Sequence, residues 1–165
     1  MRALVAFASS LAAGVWLLGV SSAYAEGNDA GRAVFAARCA VCHQAGGRGM
    51  DGLAPPLTEY PARFAGSAPG RKHLIETLLH GMYGDISVNG KHYNFRMPAF
   101  NSLGDEEIAN VLNYLAIDLP AGASGPRAAP VGAQEVAALR GVTLDGDAVR
   151  RQRAELLHSL GVGTP

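Results

Sequence analysis

The chain has 165 residues, 48% of them hydrophobic and 17% charged, which suits one domain with an additional segment and allows a modest core. That balance excludes disorder as the default state. The formal net charge is zero, without the basic stripe expected of a nucleic-acid binder.

Arg2 precedes an apolar stretch over residues 3–20, and Ser21-Ser22-Ala23-Tyr24-Ala25 places small residues where an export peptidase reads them. Residues 1–25 are therefore expected to form a signal peptide cleaved after Ala25, with the mature chain in the periplasm. The apolar run also approaches the length that spans a bilayer, so a retained leader would anchor the protein to the membrane. Ser9, Ser10, Gly14 and Gly19 weaken that alternative.

Asn28 or Asp29 can cap a first helix expected over residues 30–39. Residues 44–70 are rich in Gly and Pro and read as loop, with a short helical turn near 60–65. In residues 71–80 the apolar face Leu74, Ile75, Leu78, Leu79 predicts a helix, ended by Gly81. Residues 86–93 alternate around Asn89-Gly90, a two-residue hairpin signal. Residues 105–117 carry the clearest helical pattern. Gly104 or Ser102 can cap it, Asp105, Glu106 and Glu107 complement its positive end, and Ile108, Val111, Leu112 and Leu115 make its apolar face. Pro120 ends that pattern. Residues 120–131 have linker composition, and two weaker helices are expected near 132–140 and 146–160.

The chemistry is concentrated in Cys39-Ala40-Val41-Cys42-His43. Two thiols three residues apart, followed at once by an imidazole, fit covalent attachment of a haem. Each thiol can add to one vinyl group, and the histidine then lies under the iron. A zinc site would need further ligands, and the chain has no second Cys pair. A disulfide across so short a loop gains little closure entropy. A thiol–disulfide oxidoreductase remains the main rival, although it needs strands around the motif, where helix and Gly-rich loop are expected.

For a second axial ligand, Met50, Met82 and Met97 are the mature-chain methionines. Met50 follows His43 too closely to reach the opposite haem face. Met97, in Arg96-Met97-Pro98-Ala99-Phe100, is favoured, because Pro98 fixes the local backbone and His/Met pairs occur in electron-transfer haems. His73, His80 and His92 are rivals, each expected at the surface or behind the first ligands. A vacant iron position would instead suit a haem enzyme or a gas-binding protein.

Over roughly residues 27–117 the sequence resembles the class I cytochrome c family. The resemblance implies an all-α cytochrome c fold, several helices around one covalent haem c, with the small hairpin near 86–94. With the leader and linker read above, the expected domains are 1–25 (leader), 26–118 (cytochrome c) and 119–165 (linker and weakly helical extension). Gly31 and Phe35 match the small and aromatic pair on the family's first helix, and Val111 and Tyr114 the surface that crosses it. Ala54-Pro55-Pro56-Leu57 resembles the proximal loop, which implies that the Pro55 carbonyl accepts the His43 ring N–H and that Leu57 presses on the haem. Met97 matches the distal ligand. Cys39, Cys42, His43, Pro55, Leu57 and Met97 are thus the expected cofactor-binding residues, with His43 and Met97 on the metal.

Residues 71–118 look more narrowly like cytochromes that serve periplasmic dehydrogenases. This implies electron transfer, without catalysis, from a dehydrogenase toward a downstream cytochrome or oxidase. A free carrier or a permanent subunit would both fit, and docking is expected near Cys39, Cys42 and Ala99. Haem would form much of the core, so the haem-free chain is expected to be largely unfolded. In the extension, residues 131–139 or 149–160 are expected to dock on the domain or on a partner, from the spacing of Leu156, Leu157 and Leu160 beside Arg150, Arg151 and Arg153.

Overall fold

A computed structural model describes residues 23–120 and 128–161. The leader expected over residues 1–25 lies outside the described residues except for its last three, as does most of the linker expected at 120–131.

Helix α1 (Ala23–Val34) passes through a π-helical turn (Phe35–Cys39) into α2 (Ala40–His43), so one helical stretch ends on His43. It begins before Asn28 and Asp29, which therefore lie inside it. A capping residue marks a start only where the chain before it leaves helical geometry. The stretch also outlasts Cys39, because Ala36, Ala37 and Ala40 favour helix. Gln44, at φ 61°, breaks it.

Helix α3 (Tyr60–Ala65) and helix α4 (Ala68–His80) follow the loop. The Ser67 hydroxyl accepts from the Gly70 N–H at 3.1 Å and caps α4, which starts earlier than its apolar face suggests because Pro69 is tolerated in a first turn. Gly81, at φ 72°, ends α4. Strands β1 (Ile86–Val88) and β2 (Lys91–Tyr93) pair antiparallel, Ile86 opposite Tyr93 and Val88 opposite Lys91. Asn89 and Gly90 both take positive φ, 54° and 73°, as the tight turn requires. Helix α5 (Asp105–Asn113) starts where the Glu107 carboxylate accepts from the Gly104 N–H at 2.8 Å, and continues as a π-helical turn (Tyr114–Asp118).

Helices α1 and α5 cross at Gly31. A Cβ there would lie 2.2 Å from the Asn110 carbonyl oxygen and 2.9 Å from the Tyr114 Cβ. One turn on, the Phe35 and Tyr114 rings meet at 5.4 Å. The glycine thus faces Asn110 backbone and Tyr114, while Val111 is buried in the core with Ile108 and Leu112. Leu74, Ile75, Leu78 and Leu79 of α4 complete that core.

Two further helices, α6 (Ala133–Leu139) and α7 (Gly146–Ser159), pack on this unit: α6 against α4 and α5, α7 against α4. Val136, Val149, Leu156 and Leu157 are buried, whereas Leu160 is 39% exposed and leaves the expected stripe. Polar seams hold the layer down. The Asn113 side-chain amide exchanges two hydrogen bonds with the Val131 backbone (2.7 and 3.0 Å), Arg71 pairs with Glu135 at 3.1 Å, and Arg140 pairs with Asp105. Among the described residues no helix is long and apolar enough to cross a membrane.

Gly31→Ala should destabilise the haem-loaded protein. The helix gains about 1 kcal/mol of propensity, but a methyl driven into an α5 carbonyl costs about 1–3 kcal/mol by overpacking. A lowered urea midpoint checks the sign. Leu157→Ala, at a position 2% exposed, should lower stability by about 2–5 kcal/mol in the same titration if the α7 contact belongs to the cooperative unit.

Candidate cofactor site

His43 ends the first helical stretch and is only 8% exposed. Its Nδ1 lies 2.8 Å from the Pro55 carbonyl oxygen. A carbonyl can only accept, so Nδ1 carries the proton and Nε2 keeps a free lone pair. Burial lowers the proton affinity of this imidazole, and the bond to Pro55 partly opposes that.

The loop that brings Pro55 here is closed by backbone bonds from Gly49 N–H to the His43 carbonyl (2.8 Å) and from Leu57 N–H to the Gly47 carbonyl (2.7 Å). Gly49 has φ 75°, and a Cβ on it would meet the Pro56 nitrogen at 2.6 Å. No larger residue allows this approach.

Cys39 is buried, Cys42 half-buried, and both thiols are free. Burial, reinforced by Cys42, pushes the Cys39 thiol up to about 11. A thiol that stays protonated near neutrality is a poor nucleophile for disulfide exchange, which counts against the oxidoreductase reading.

Both cysteines and His43 border a cavity of about 260 Å³. Its walls are mainly apolar: Leu57 from the loop, Tyr60 and Phe64 from α3, Leu74 and Leu78 from α4, Leu112 and Leu115 from α5 and its π turn. Two free thiols at the wall, an imidazole with an available nitrogen and an apolar interior fit a covalently attached haem.

The other candidates separate clearly. Met97 borders the cavity, and so does Met82. The two are joined by backbone bonds, Met82 N–H to the Met97 carbonyl at 3.1 Å and Met97 N–H to the Met82 carbonyl at 2.8 Å. Pro55 and Leu57 also line it. Met50, His80, His92 and Ala99 are not in its wall. Met50 is paired with Ala54 and half-exposed, and His92 is exposed beside Asp85.

Of the two places expected for His73, the surface or behind the first ligands, burial excludes the surface. It is 5% exposed, stands edge-on to the Phe64 ring at 5.4 Å and faces the cavity. Burial first, then the charges of Arg153 and Lys72, push it down to about 4, so it is neutral near pH 7. Arg153, from α7, also lines the cavity and was missed as a site residue. The signal was available: Val149, Arg153, Leu156 and Leu157 share one helical face. Among the described residues no group of three His, Cys, Asp or Glu side chains converges to hold a metal ion by itself.

Comparison with known proteins agrees with this site. Residues 29–116 match the family model described as Cytochrome c. The chain is 38% identical over 147 residues to a "Cytochrome c-552" of Thermus thermophilus, covering 89% of this chain and 96% of that protein. It is 40% identical over 120 residues to another "Cytochrome c-552" of Thermus thermophilus, covering 73% and 92%. A match of 147 residues cannot be contained in residues 1–116, so the similarity to the first relative runs into the C-terminal extension. The chain therefore belongs to the cytochrome c family: it holds one haem c covalently through Cys39 and Cys42 and serves redox partners as an electron carrier, not as an enzyme.

Proposed function

We propose that this cytochrome is exported to the periplasm and passes single electrons through a haem c ligated by His43 and Met97, from a periplasmic dehydrogenase toward a downstream cytochrome or oxidase. The observation that carries the ligand assignment is that His43, with Nε2 free, and Met97 border the same apolar cavity as the two attachment thiols.

Haem supplies a one-electron change at its iron. The chain's residues set the conditions for it. Pro55 holds the His43 ring in one tautomer and orientation, which makes the imidazole a stronger donor. The backbone pairing with Met82 and the fixed φ of Pro98 hold Met97 in place. Leu57, Phe64, Leu112 and Leu115 keep water away, and an apolar surround disfavours the oxidised, more highly charged centre.

Electrons must enter at the surface. Val41 is 77% exposed and Phe95 64%, and both border the cavity, beside Arg38 and Arg96. An apolar spot flanked by arginines suits a brief docking contact with a redox protein. The charged start, apolar run and small residues within 1–25 support export, and the resemblance of residues 71–118 to dehydrogenase-serving cytochromes supports the choice of electron donor.

Met82 is the specific alternative to Met97, because it shares the same wall. The ferric protein should show the weak long-wavelength band of sulfur-bound iron. Met97→Ala should abolish it and lower the reduction potential, while Met82→Ala should leave it. A band that survives Met97→Ala and disappears in Met82→Ala would move the ligand to Met82. Haem without the band in the unaltered protein would remove methionine ligation altogether. For export, the mass of protein recovered from the periplasm should correspond to a chain beginning at Glu26, and an intact leader on the native protein would refute cleavage.

A further inference from the structure

The segment that carries Met97 has little packing of its own. Arg96, Pro98 and Ala99 are exposed, and Met97 is half-buried. Backbone bonds tie it to the body: the pair exchanged with Met82, and one from the Phe100 N–H to the Leu78 carbonyl at 2.7 Å. Residues 81–84 lie against it. A Cβ on Gly81 would stand 2.5 Å from the Met97 carbonyl oxygen and 2.9 Å from the Ala99 nitrogen. That supporting segment is itself weakly built. Gly81 and Gly84 both take positive φ, 72° and 99°, and neither has a side chain to pack.

The first turn of α7 meets each of its next three residues. The Asp145 carboxylate accepts from the Ala148 N–H at 2.7 Å and fixes where the helix begins. Gly146 is buried at that start. Its carbonyl accepts from the Tyr83 N–H at 3.3 Å, and a Cβ on it would stand 2.6 Å from the Tyr83 Cδ1 and 3.1 Å from the Met82 Cα. One turn on, the Arg150 side chain is paired with Asp147 at 2.6 Å and lies on Gly84, where a Cβ would stand 2.7 Å from its Nε. The Arg96 guanidinium lies over the Tyr83 ring at 4.6 Å from the centroid. Tyr83 therefore touches both α7 and the residue that precedes Met97.

We propose that Gly146 is a positioning residue for the methionine on the iron: the first turn of α7 backs residues 82–84, these hold Met97, and the extension thereby sets how firmly the sulfur stays bound. The inference rests on the methionine ligation proposed above. It holds for either methionine, because Met82 and Met97 form one bridged pair. Gly146 lies beyond residues 29–116, so the family match does not assign it. Glycine is a poor helix former, and the close approach to Met82 and Tyr83 is what favours it here. A methyl at this position pushes Tyr83 and the Met82 backbone away from α7, and the bridged Met97 moves with them.

The test uses the full-length, haem-loaded protein with cyanide as the probe. Cyanide takes the ferric iron only after the sulfur leaves, so its binding rate at saturating concentration reports methionine release. Gly146→Ala should speed that rate about tenfold, equivalent to ~1.4 kcal/mol. It should also lower the midpoint potential, since a bound thioether is what raises it. Val136→Ala, buried in α6 and outside these contacts, should lower stability and leave both readouts unchanged. Unchanged rate and potential in G146A, even with lower stability, would make Gly146 a packing residue and overturn the proposal. Equal acceleration in V136A would overturn it too, as a sign of general loosening. Should G146A not fold, the unaltered protein decides. Coupling between sites is reciprocal, so cyanide binding should speed amide exchange at Tyr83 and at Val149 in the first turn of α7, and unchanged exchange at Val149 would overturn the proposal. An unaltered ferric protein without the sulfur-to-iron band would take down the ligation reading and this one together. A band present with an unchanged cyanide rate in G146A takes down this one alone.

Discussion

The close crossing of α1 on α5 at Gly31 sets the position of everything that follows it. With a hydrogen in place of a side chain, the Gly31 backbone rests directly on the Asn110 carbonyl and on Tyr114. The Phe35–Tyr114 ring contact then fixes rotation about that point. From there one uninterrupted helical stretch carries Cys39, Cys42 and His43 to the edge of the cavity. Because helices are stiff, a shift at the crossing would be transmitted to the thiols and the imidazole together. Their placement relative to Leu112 and Leu115 is in this sense decided at Gly31.

The cavity itself follows from what the surrounding elements can and cannot fill. The loop after His43 is too rich in Gly and Pro to form a packed layer of its own, and its left-handed glycines bend it back until Pro55 meets His43. Helices α3, α4 and α5 contribute side chains to the rim and walls, with none reaching across. The mainly apolar lining suits an apolar cofactor, and the attachment thiols make its retention independent of binding equilibrium.

The extension adds a layer whose attachments alternate between apolar and polar. Val136, Val149, Leu156 and Leu157 are buried, while Asn113, Arg71 and Asp105 supply directional bonds that fix its register on the domain. Gly146 lies against the Tyr83 ring, with its carbonyl accepting from the Tyr83 N–H at 3.3 Å, which brings the start of α7 beside the segment that leads to Met97. Outward-facing Arg150 and Arg151 are neutralised locally by Asp147. Arg153, on the same helix, turns instead toward the cavity.

By itself the sequence determined the elements with local causes. The hairpin follows from Asn89-Gly90, because that pair readily accepts two positive φ angles in succession. The helical faces of α4 and α5 follow from apolar spacing. The haem follows from Cys39, Cys42 and His43, because attachment chemistry requires those groups at that spacing. Residue spacing could not fix where the first helix begins, since caps act only at ends that packing selects. It also left Met82 and Met97 unresolved as neighbours, and it did not show that His73 is buried or that Arg153 turns inward. These are consequences of contact between elements far apart in the chain. Tertiary structure decided them because burial, charge pairing and the shape of a cavity are properties of surfaces brought together, and neither local propensity nor a motif specifies which surfaces will meet.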